Sequence, residues 1–121
     1  MKVLVVDDSS TMRRILTNCL NEIGYKEVLQ ASDGIEALDV LAKEGDVALV
    51  LADWHMPNMD GFKLLQEIKS NAATKDTPVI MVTTQAEKEC VVDALKTGAS
   101  NYVVKPFTPE IIKEKINEVM G

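Results

Sequence analysis

Short runs of β-branched and aliphatic residues alternate with stretches of helical periodicity along the whole sequence. The apolar runs occupy residues 3–6, 47–52, 79–82 and 102–104, and residues 27–31 form a weaker strand pattern. Between and after them, apolar residues recur every three or four positions, as they do on the buried face of a helix. This alternation predicts strands and helices in turn, and therefore a parallel sheet covered by helices on both faces.

The helix boundaries carry local signals. Gly24, Gly45 and Gly98 follow three of the periodic stretches, where a glycine typically ends a helix. Asp60 is a candidate N-cap, and Pro109 occupies a favourable first helical position. Right-handed crossovers leave few topologies for such a chain. We predict an α/β fold, a flavodoxin-like (βα)5 doubly wound parallel sheet with strand order 2-1-3-4-5.

The length and composition favour a single domain. The chain has 121 residues, of which 46% are hydrophobic and 26% charged, and no apolar run approaches the ~20 residues of a membrane span. Its net charge of -6 and scattered basic residues argue against nucleic-acid binding. Cys19 and Cys90 lack the spacing of a metal site, so we expect reduced, packed thiols. We expect one cytoplasmic domain over residues 1–121, with no membrane anchor and no output domain.

Polar residues follow four of the predicted strands. Asp7 and Asp8 follow strand 1, Asp53 follows strand 3, Thr83 ends strand 4 and Lys105 ends strand 5. In a doubly wound sheet, ligands bind at the carboxyl ends of the strands, where the strand order reverses. Each residue also has an ordinary explanation: a helix cap, a turn former, a strand threonine or a surface lysine. Together on one edge, they favour a functional site.

The chemistry of that site is suggested by its residue types. Three converging carboxylates repel one another unless one is protonated or a cation binds. Oxygen ligands suit Mg²⁺, and the single histidine and distant cysteines argue against zinc. An aspartate beside Mg²⁺ can act as a nucleophile toward phosphorus, with a lysine and a hydroxyl contacting the phosphoryl oxygens. We therefore expect an aspartyl-phosphate site.

Four motifs surround these polar residues. They are Val3-Leu4-Val5-Val6-Asp7-Asp8-Ser9, Asp53-Trp54-His55-Met56-Pro57-Asn58-Met59-Asp60-Gly61, Val82-Thr83-Thr84 and Val104-Lys105-Pro106-Phe107. With these motifs in this order, the chain resembles a bacterial response-regulator receiver domain over essentially its full length. The resemblance implies a regulator of a two-component system that is switched by phosphorylation. It is expected to catalyse only its own phosphorylation and dephosphorylation.

The resemblance also implies roles for single residues. Asp53 corresponds to the phosphoacceptor, and Asp7 and Asp8 correspond to the acidic pair that holds Mg²⁺. The backbone carbonyl of His55 corresponds to a further metal ligand. Lys105 corresponds to the lysine that contacts the phosphoryl group, and its bond to the following proline is expected to be cis.

Two further positions correspond to the family's switch. Thr83 matches the hydroxyl residue that moves onto the phosphoryl group, and Tyr102 matches the aromatic residue that moves inward on activation. Tyr102 also has a simpler interpretation as a half-buried tyrosine on an edge strand.

Trp54 directly after the phosphoacceptor resembles the chemotaxis subgroup of the family, and so does the expected absence of an output domain. That resemblance implies a monomer with three partners: a histidine kinase or small phosphodonor, a flagellar motor switch protein and a phosphatase. In that subgroup the face of helix 4, strand 5 and helix 5 contacts the motor switch. His55 and Gln85 depart from the residues common there, at positions that tune the phosphoryl lifetime.

Three alternatives stay open at this stage. A phosphohydrolase using an aspartyl-phosphate would need a second carboxylate two residues after the nucleophile, where this chain has His55. A flavin-binding module would need a phosphate-binding loop where Asp7 and Asp8 would repel phosphate. A receiver that shuttles phosphoryl groups in a phosphorelay, or one excised from a longer regulator, fits the sequence nearly as well.

Overall fold

The strands and helices alternate strictly, as the sequence pattern predicts. The computed structural model describes residues 1–84 and 88–120, except for the side chains of residues 88 and 89. The strands are β1 (Lys2–Val6), β2 (Glu27–Ala31), β3 (Val47–Asp53), β4 (Val79–Thr84) and β5 (Asn101–Lys105). The helices are α1 (Ser10–Glu22), α2 (Gly34–Glu44), α3 (Gly61–Ser70), α4 (Lys88–Thr97) and α5 (Pro109–Met120).

All strand pairs are parallel, and the strand order is β2-β1-β3-β4-β5. Both the fold class and the strand order predicted from the sequence are confirmed. The order reverses between β1 and β3, so the crevice expected for a ligand opens at the carboxyl ends of these two strands. Asp53 is the last residue of β3 and lies in register with Val82 of β4.

Two apolar clusters cover the two faces of the sheet, because successive side chains of a strand point to opposite faces. On β1, Val3 and Val5 pack with α1 and α5, whereas Leu4 and Val6 pack with α2, α3 and α4. All four side chains are fully buried. With β1 buried on both faces, its run is continuously apolar, as expected of the centre of a parallel sheet.

Most helix boundaries follow the signals in the sequence. Asp33 and Asp60 accept hydrogen bonds from the third residue of α2 and α3, and Gly45 ends α2 with a φ of 78°. Some apolar residues of the helical pattern are nevertheless exposed, including Ile35 and Leu95. In the described part of the chain, no helix combines the length and hydropathy needed to cross a membrane.

Candidate functional site

Three carboxylates converge at the carboxyl edge of the sheet. Asp7 and Asp8 directly follow β1, and Asp53 ends β3. One carboxylate oxygen from each lies within 4.8 Å of the others. Asp7 is buried, Asp53 is half-buried and Asp8 is exposed, so the group opens toward solvent on one side.

Lys105 supplies the positive charge of the site. Its Nζ donates a hydrogen bond to Asp53 Oδ1 at 3.0 Å and lies 3.6 Å from Asp7 Oδ2. The peptide bond between Lys105 and Pro106 is cis, as the resemblance implies. The lysine therefore reaches from the end of β5 across β4 to the end of β3, and it contacts two of the three carboxylates.

The pKa values of Asp53 and Lys105 are both shifted. Burial raises the pKa of Asp53 above its usual value; the hydrogen bond from Lys105 opposes this rise, and repulsion from Asp7 adds to it. Burial would lower the pKa of Lys105, but its hydrogen bond to Asp53 and the attraction of both aspartates leave that pKa raised. One ammonium thus offsets only part of the negative charge.

Asp7 is held from several sides. Its Oδ1 accepts a hydrogen bond from Ser9 N at 2.9 Å, and its backbone carbonyl accepts one from Arg13 Nη1 at 2.7 Å. Its Oδ2 is buried and accepts no hydrogen bond from the described residues. The ammonium of Lys105, 3.6 Å away, offsets part of the cost of burying this carboxylate oxygen, and a bound cation would offset more of it. This oxygen, together with its two neighbouring carboxylates, fits the ligand set of a hard cation such as Mg²⁺.

Thr83 and Tyr102 lie on the neighbouring strands. Thr83 is buried in β4, one residue past the partner of Asp53, and its hydroxyl lies 3.4 Å from the carbonyl of Thr84. Tyr102 is half-buried on β5 and packs against the cluster that underlies α2, α3 and α4. The Nζ of Lys115 lies 5.2 Å from the centre of its ring.

Trp54 and His55 begin the loop that connects β3 to α3. Trp54 is buried and its ring stacks on Phe62 at a centroid distance of 5.3 Å. The backbone N–H of Trp54 donates a hydrogen bond to the carbonyl of Val82 at 3.3 Å. The side chain of His55 is exposed. Gln85 lies outside the described residues.

The structure thus brings together Asp7, Asp8, Asp53 and Lys105, and places Thr83 and Tyr102 on the adjoining strands. Sequence reasoning missed a contact beside this site. Asp33, the N-cap of α2, also accepts a hydrogen bond from the side chain of Asn58 at 2.7 Å. The cap was visible as Asp-Gly before a helical pattern, but no local signal pairs residues 25 positions apart.

The fold and this acidic edge define a class of protein. Residues 3–117 match the response regulator receiver domain, and the chain belongs to that family. The family assignment made from the four motifs is therefore confirmed.

Individual relatives are chemotaxis proteins. The chain is 50% identical over 121 residues to a chemotaxis protein CheY homolog of Campylobacter jejuni, covering 100% of this chain and 93% of that one. It is 49% identical to chemotaxis protein CheY1 of Helicobacter pylori, covering 100% of this chain and 98% of that one. Chemotaxis protein CheY4 of Vibrio cholerae has a similar structure, with a TM-score of 0.88 and 35% sequence identity. The match covers 98% of this chain and 97% of that one. The chain is thus a receiver domain homologous to the CheY chemotaxis regulators.

Proposed function

We propose that Asp53 accepts a phosphoryl group from a histidine kinase or a small phosphodonor, and that the modified chain changes its affinity for a partner. One observation carries this proposal: three carboxylates and a lysine converge at the carboxyl edge of the sheet, with Lys105 Nζ 3.0 Å from Asp53 Oδ1. The chain acts as a switch and catalyses only its own phosphorylation and dephosphorylation.

The residues suited to hold Mg²⁺ are Asp7, Asp8 and Asp53, with the backbone carbonyl of His55 as a further ligand. The buried Oδ2 of Asp7, which accepts no hydrogen bond from the described residues, supports this set. When bound there, Mg²⁺ would neutralise negative charge on the carboxylates and on the phosphoryl oxygens.

The transfer itself is a displacement at phosphorus. A carboxylate oxygen of Asp53 forms a bond to phosphorus while the bond from phosphorus to the donor's histidine nitrogen breaks, and that nitrogen keeps the bonding electrons. Lys105 stays beside Asp53 and stabilises charge on the phosphoryl oxygens. Hydrolysis is a second displacement: the oxygen of water forms a bond to phosphorus while the bond from phosphorus to the Asp53 oxygen breaks. The carboxylate keeps the bonding electrons, and inorganic phosphate leaves with the protons of the water.

The phosphoryl group then acts on β4 and β5. Thr83 is the hydroxyl that shifts to donate to it, and Tyr102 is the aromatic residue that responds. Thr83 is already buried one residue beyond the β4 partner of Asp53, and Tyr102 lies between the core and Lys115. The result is a population shift between two conformations of the face formed by α4, β5 and α5.

The relatives named as chemotaxis proteins support a role in chemotaxis, with a histidine kinase upstream, a flagellar motor switch protein downstream and a phosphatase that resets the signal. We assign the chain to the cytoplasm as a monomeric receiver domain. A receiver that passes the phosphoryl group onward in a phosphorelay, or that belongs to a longer regulator, is the competing possibility.

Fluorescence of Trp54, the single tryptophan and the neighbour of Asp53, tests the proposal. Titration with Mg²⁺ should change its emission, and beryllofluoride added with Mg²⁺ should change it again. Asp53→Asn should abolish the second response. If neither addition changes the emission of the wild type, and Asp53→Asn behaves identically, the proposal is wrong.

A binding experiment separates the two roles. Motor-switch peptide and a histidine phosphotransfer domain are each offered to the chain with and without beryllofluoride. Stronger retention on the motor-switch peptide in beryllofluoride supports the chemotaxis role. Binding to the phosphotransfer domain alone, unchanged by beryllofluoride, supports the relay.

A further inference from the structure

The loop that follows Asp53 is hydrogen-bonded to the N-terminus of α2. Asp33 uses both carboxylate oxygens: Oδ1 accepts from Glu36 N at 2.8 Å, and Oδ2 accepts from Asn58 Nδ2 at 2.7 Å. The first contact caps a helix and the second holds a loop. A cap requires only the first of these contacts.

Two further contacts strengthen the attachment. Gly34 N donates to the carbonyl of Met59 at 3.2 Å, and a Cβ on Gly34 would lie 2.6 Å from Met59 Cγ. The absence of a side chain at Gly34 therefore lets the loop lie directly against the first turn of α2. Asn58 itself has a φ of 67°, a left-handed conformation that asparagine tolerates better than most residues.

The beginning of the loop, at Trp54, is held by separate backbone hydrogen bonds. Trp54 N donates to the carbonyl of Val82 at 3.3 Å, and the carbonyl of Trp54 accepts from Gly61 N at 2.9 Å. His55 thus lies between this anchor and the contacts made by Asn58. The backbone expected to contribute a carbonyl to Mg²⁺ is held from both sides.

We propose that Asp33 and Asn58 are positioning residues for the metal site, which rests on the function proposed above. They fix the backbone at His55 before Mg²⁺ binds, so that this segment need not be ordered when the ion binds. Among the described residues, the side chains of Asp33 and Asn58 hydrogen-bond to Glu36 N and to each other, so they act on the site through the loop.

The test separates loop positioning from helix capping. Asp33→Ser keeps a favourable N-cap but cannot reach Asn58. Asn58→Gly removes the same hydrogen bond and permits the left-handed backbone. Asp60→Ser is the matched control: it removes a carboxylate that caps α3 from the same loop, and again leaves serine as the cap.

Mg²⁺ affinity is measured by Trp54 fluorescence, and the free energy of unfolding is measured by urea titration in EDTA. Asp33→Ser and Asn58→Gly should each weaken Mg²⁺ binding about fivefold relative to Asp60→Ser, the size expected for one lost hydrogen bond. The double variant should be no weaker than either single variant, because both remove the same interaction.

Exchanging the two residues tests whether restoring their hydrogen bond also restores Mg²⁺ affinity. Asn58→Asp alone places two carboxylates together and should weaken Mg²⁺ binding. Combining Asp33→Asn with Asn58→Asp exchanges donor and acceptor at constant net charge, and should restore the wild-type affinity. Asparagine is also a good N-cap, so α2 keeps its cap.

The outcomes are distinct. If the emission of the wild type changes with neither Mg²⁺ nor beryllofluoride, and Asp53→Asn behaves identically, the proposed function fails. If the wild type responds to Mg²⁺, and Asp33→Ser, Asn58→Gly and Asp60→Ser share one Mg²⁺ affinity, the positioning role is overturned while the proposed function stands. A loss of unfolding free energy with unchanged Mg²⁺ affinity also overturns it, because the hydrogen bond would then serve stability alone.

Discussion

Replacing Asp53 by asparagine should stabilise the chain in the absence of Mg²⁺. The carboxylates of Asp7, Asp8 and Asp53 have oxygens within 4.8 Å of one another, and Lys105 Nζ lies 3.0 Å from Asp53 Oδ1. Asparagine has nearly the same shape, and its carbonyl oxygen can still accept the hydrogen bond from Lys105. The substitution therefore removes mainly the charge.

The magnitude follows from the distances. At an effective dielectric constant of about 20, two like charges at the 4.8 Å limit repel by roughly 3 kcal/mol, which applies to buried Asp7; water screens the repulsion from exposed Asp8 to about 1 kcal/mol. The attraction between Lys105 Nζ and Asp53 Oδ1, 3.0 Å apart, stabilises the charged carboxylate by about 5 to 6 kcal/mol. Burial, the largest cause of the raised pKa of Asp53, costs the half-buried carboxylate on the order of 3 kcal/mol. This cost and the repulsion together exceed the attraction of Lys105, so we expect a gain of about 1 to 2 kcal/mol in the free energy of unfolding when the charge is removed.

Urea unfolding followed by circular dichroism in EDTA measures this gain. Asp60→Asn is the control, because Asp60 is exposed and caps α3, and asparagine caps equally well. The control should stay within about 0.5 kcal/mol of wild type. An Asp53→Asn variant that is equally or less stable than wild type in EDTA would show that the charge of Asp53 does not destabilise the fold. Saturating Mg²⁺ should stabilise the wild type more than the variant, since a ligand stabilises the state that binds it.

Three other substitutions probe the same edge of the sheet. Gly61→Ala should lower the free energy of unfolding by about 3 kcal/mol in urea titration, because its Cβ would collide with the backbone carbonyl of Asp53; a stability equal to wild type would mean that the loop yields without cost. Lys105→Met, which removes the ammonium beside Asp53, should weaken beryllofluoride binding roughly tenfold in a fluorescence titration, and an unchanged affinity would contradict its contact with the phosphoryl group. Thr83→Val fills the same buried space without a hydroxyl. It should keep phosphoryl uptake from acetyl phosphate, measured by mass spectrometry, but lose the increase in partner binding caused by beryllofluoride; retention of that increase would exclude Thr83 as the switch.

The fold could be predicted because each strand and helix carries its own local signal. The apolar run of β1, the Asp33 and Asp60 caps and the glycine ends of helices all reflect short-range physics, and the strand order follows from few allowed topologies. The edge at which Asp7, Asp8 and Asp53 meet follows from the topology in turn. The convergence of these three carboxylates could therefore be predicted without knowing any side-chain contact.

Contacts between side chains and neighbouring elements could not be predicted in this way. Sequence reasoning did not pair Asp33 with Asn58, or the guanidinium of Arg13 with the carbonyl of Asp7, because both depend on how helices and loops pack on the sheet. Likewise, helical periodicity did not distinguish buried positions from exposed ones such as Ile35. The periodic pattern marks one face of a helix, but the width of the buried stripe is set by neighbouring elements.

The central claim is that Asp53 forms an acyl phosphate, and its direct test is the site of modification. The wild type is treated with acetyl phosphate and Mg²⁺, reduced with borohydride and mapped by mass spectrometry, which marks an aspartyl-phosphate at a single position. The account predicts one phosphoryl group per chain, located at Asp53, and none without Mg²⁺ or in Asp53→Asn. Modification at another residue, or equal modification of Asp53→Asn, would contradict it.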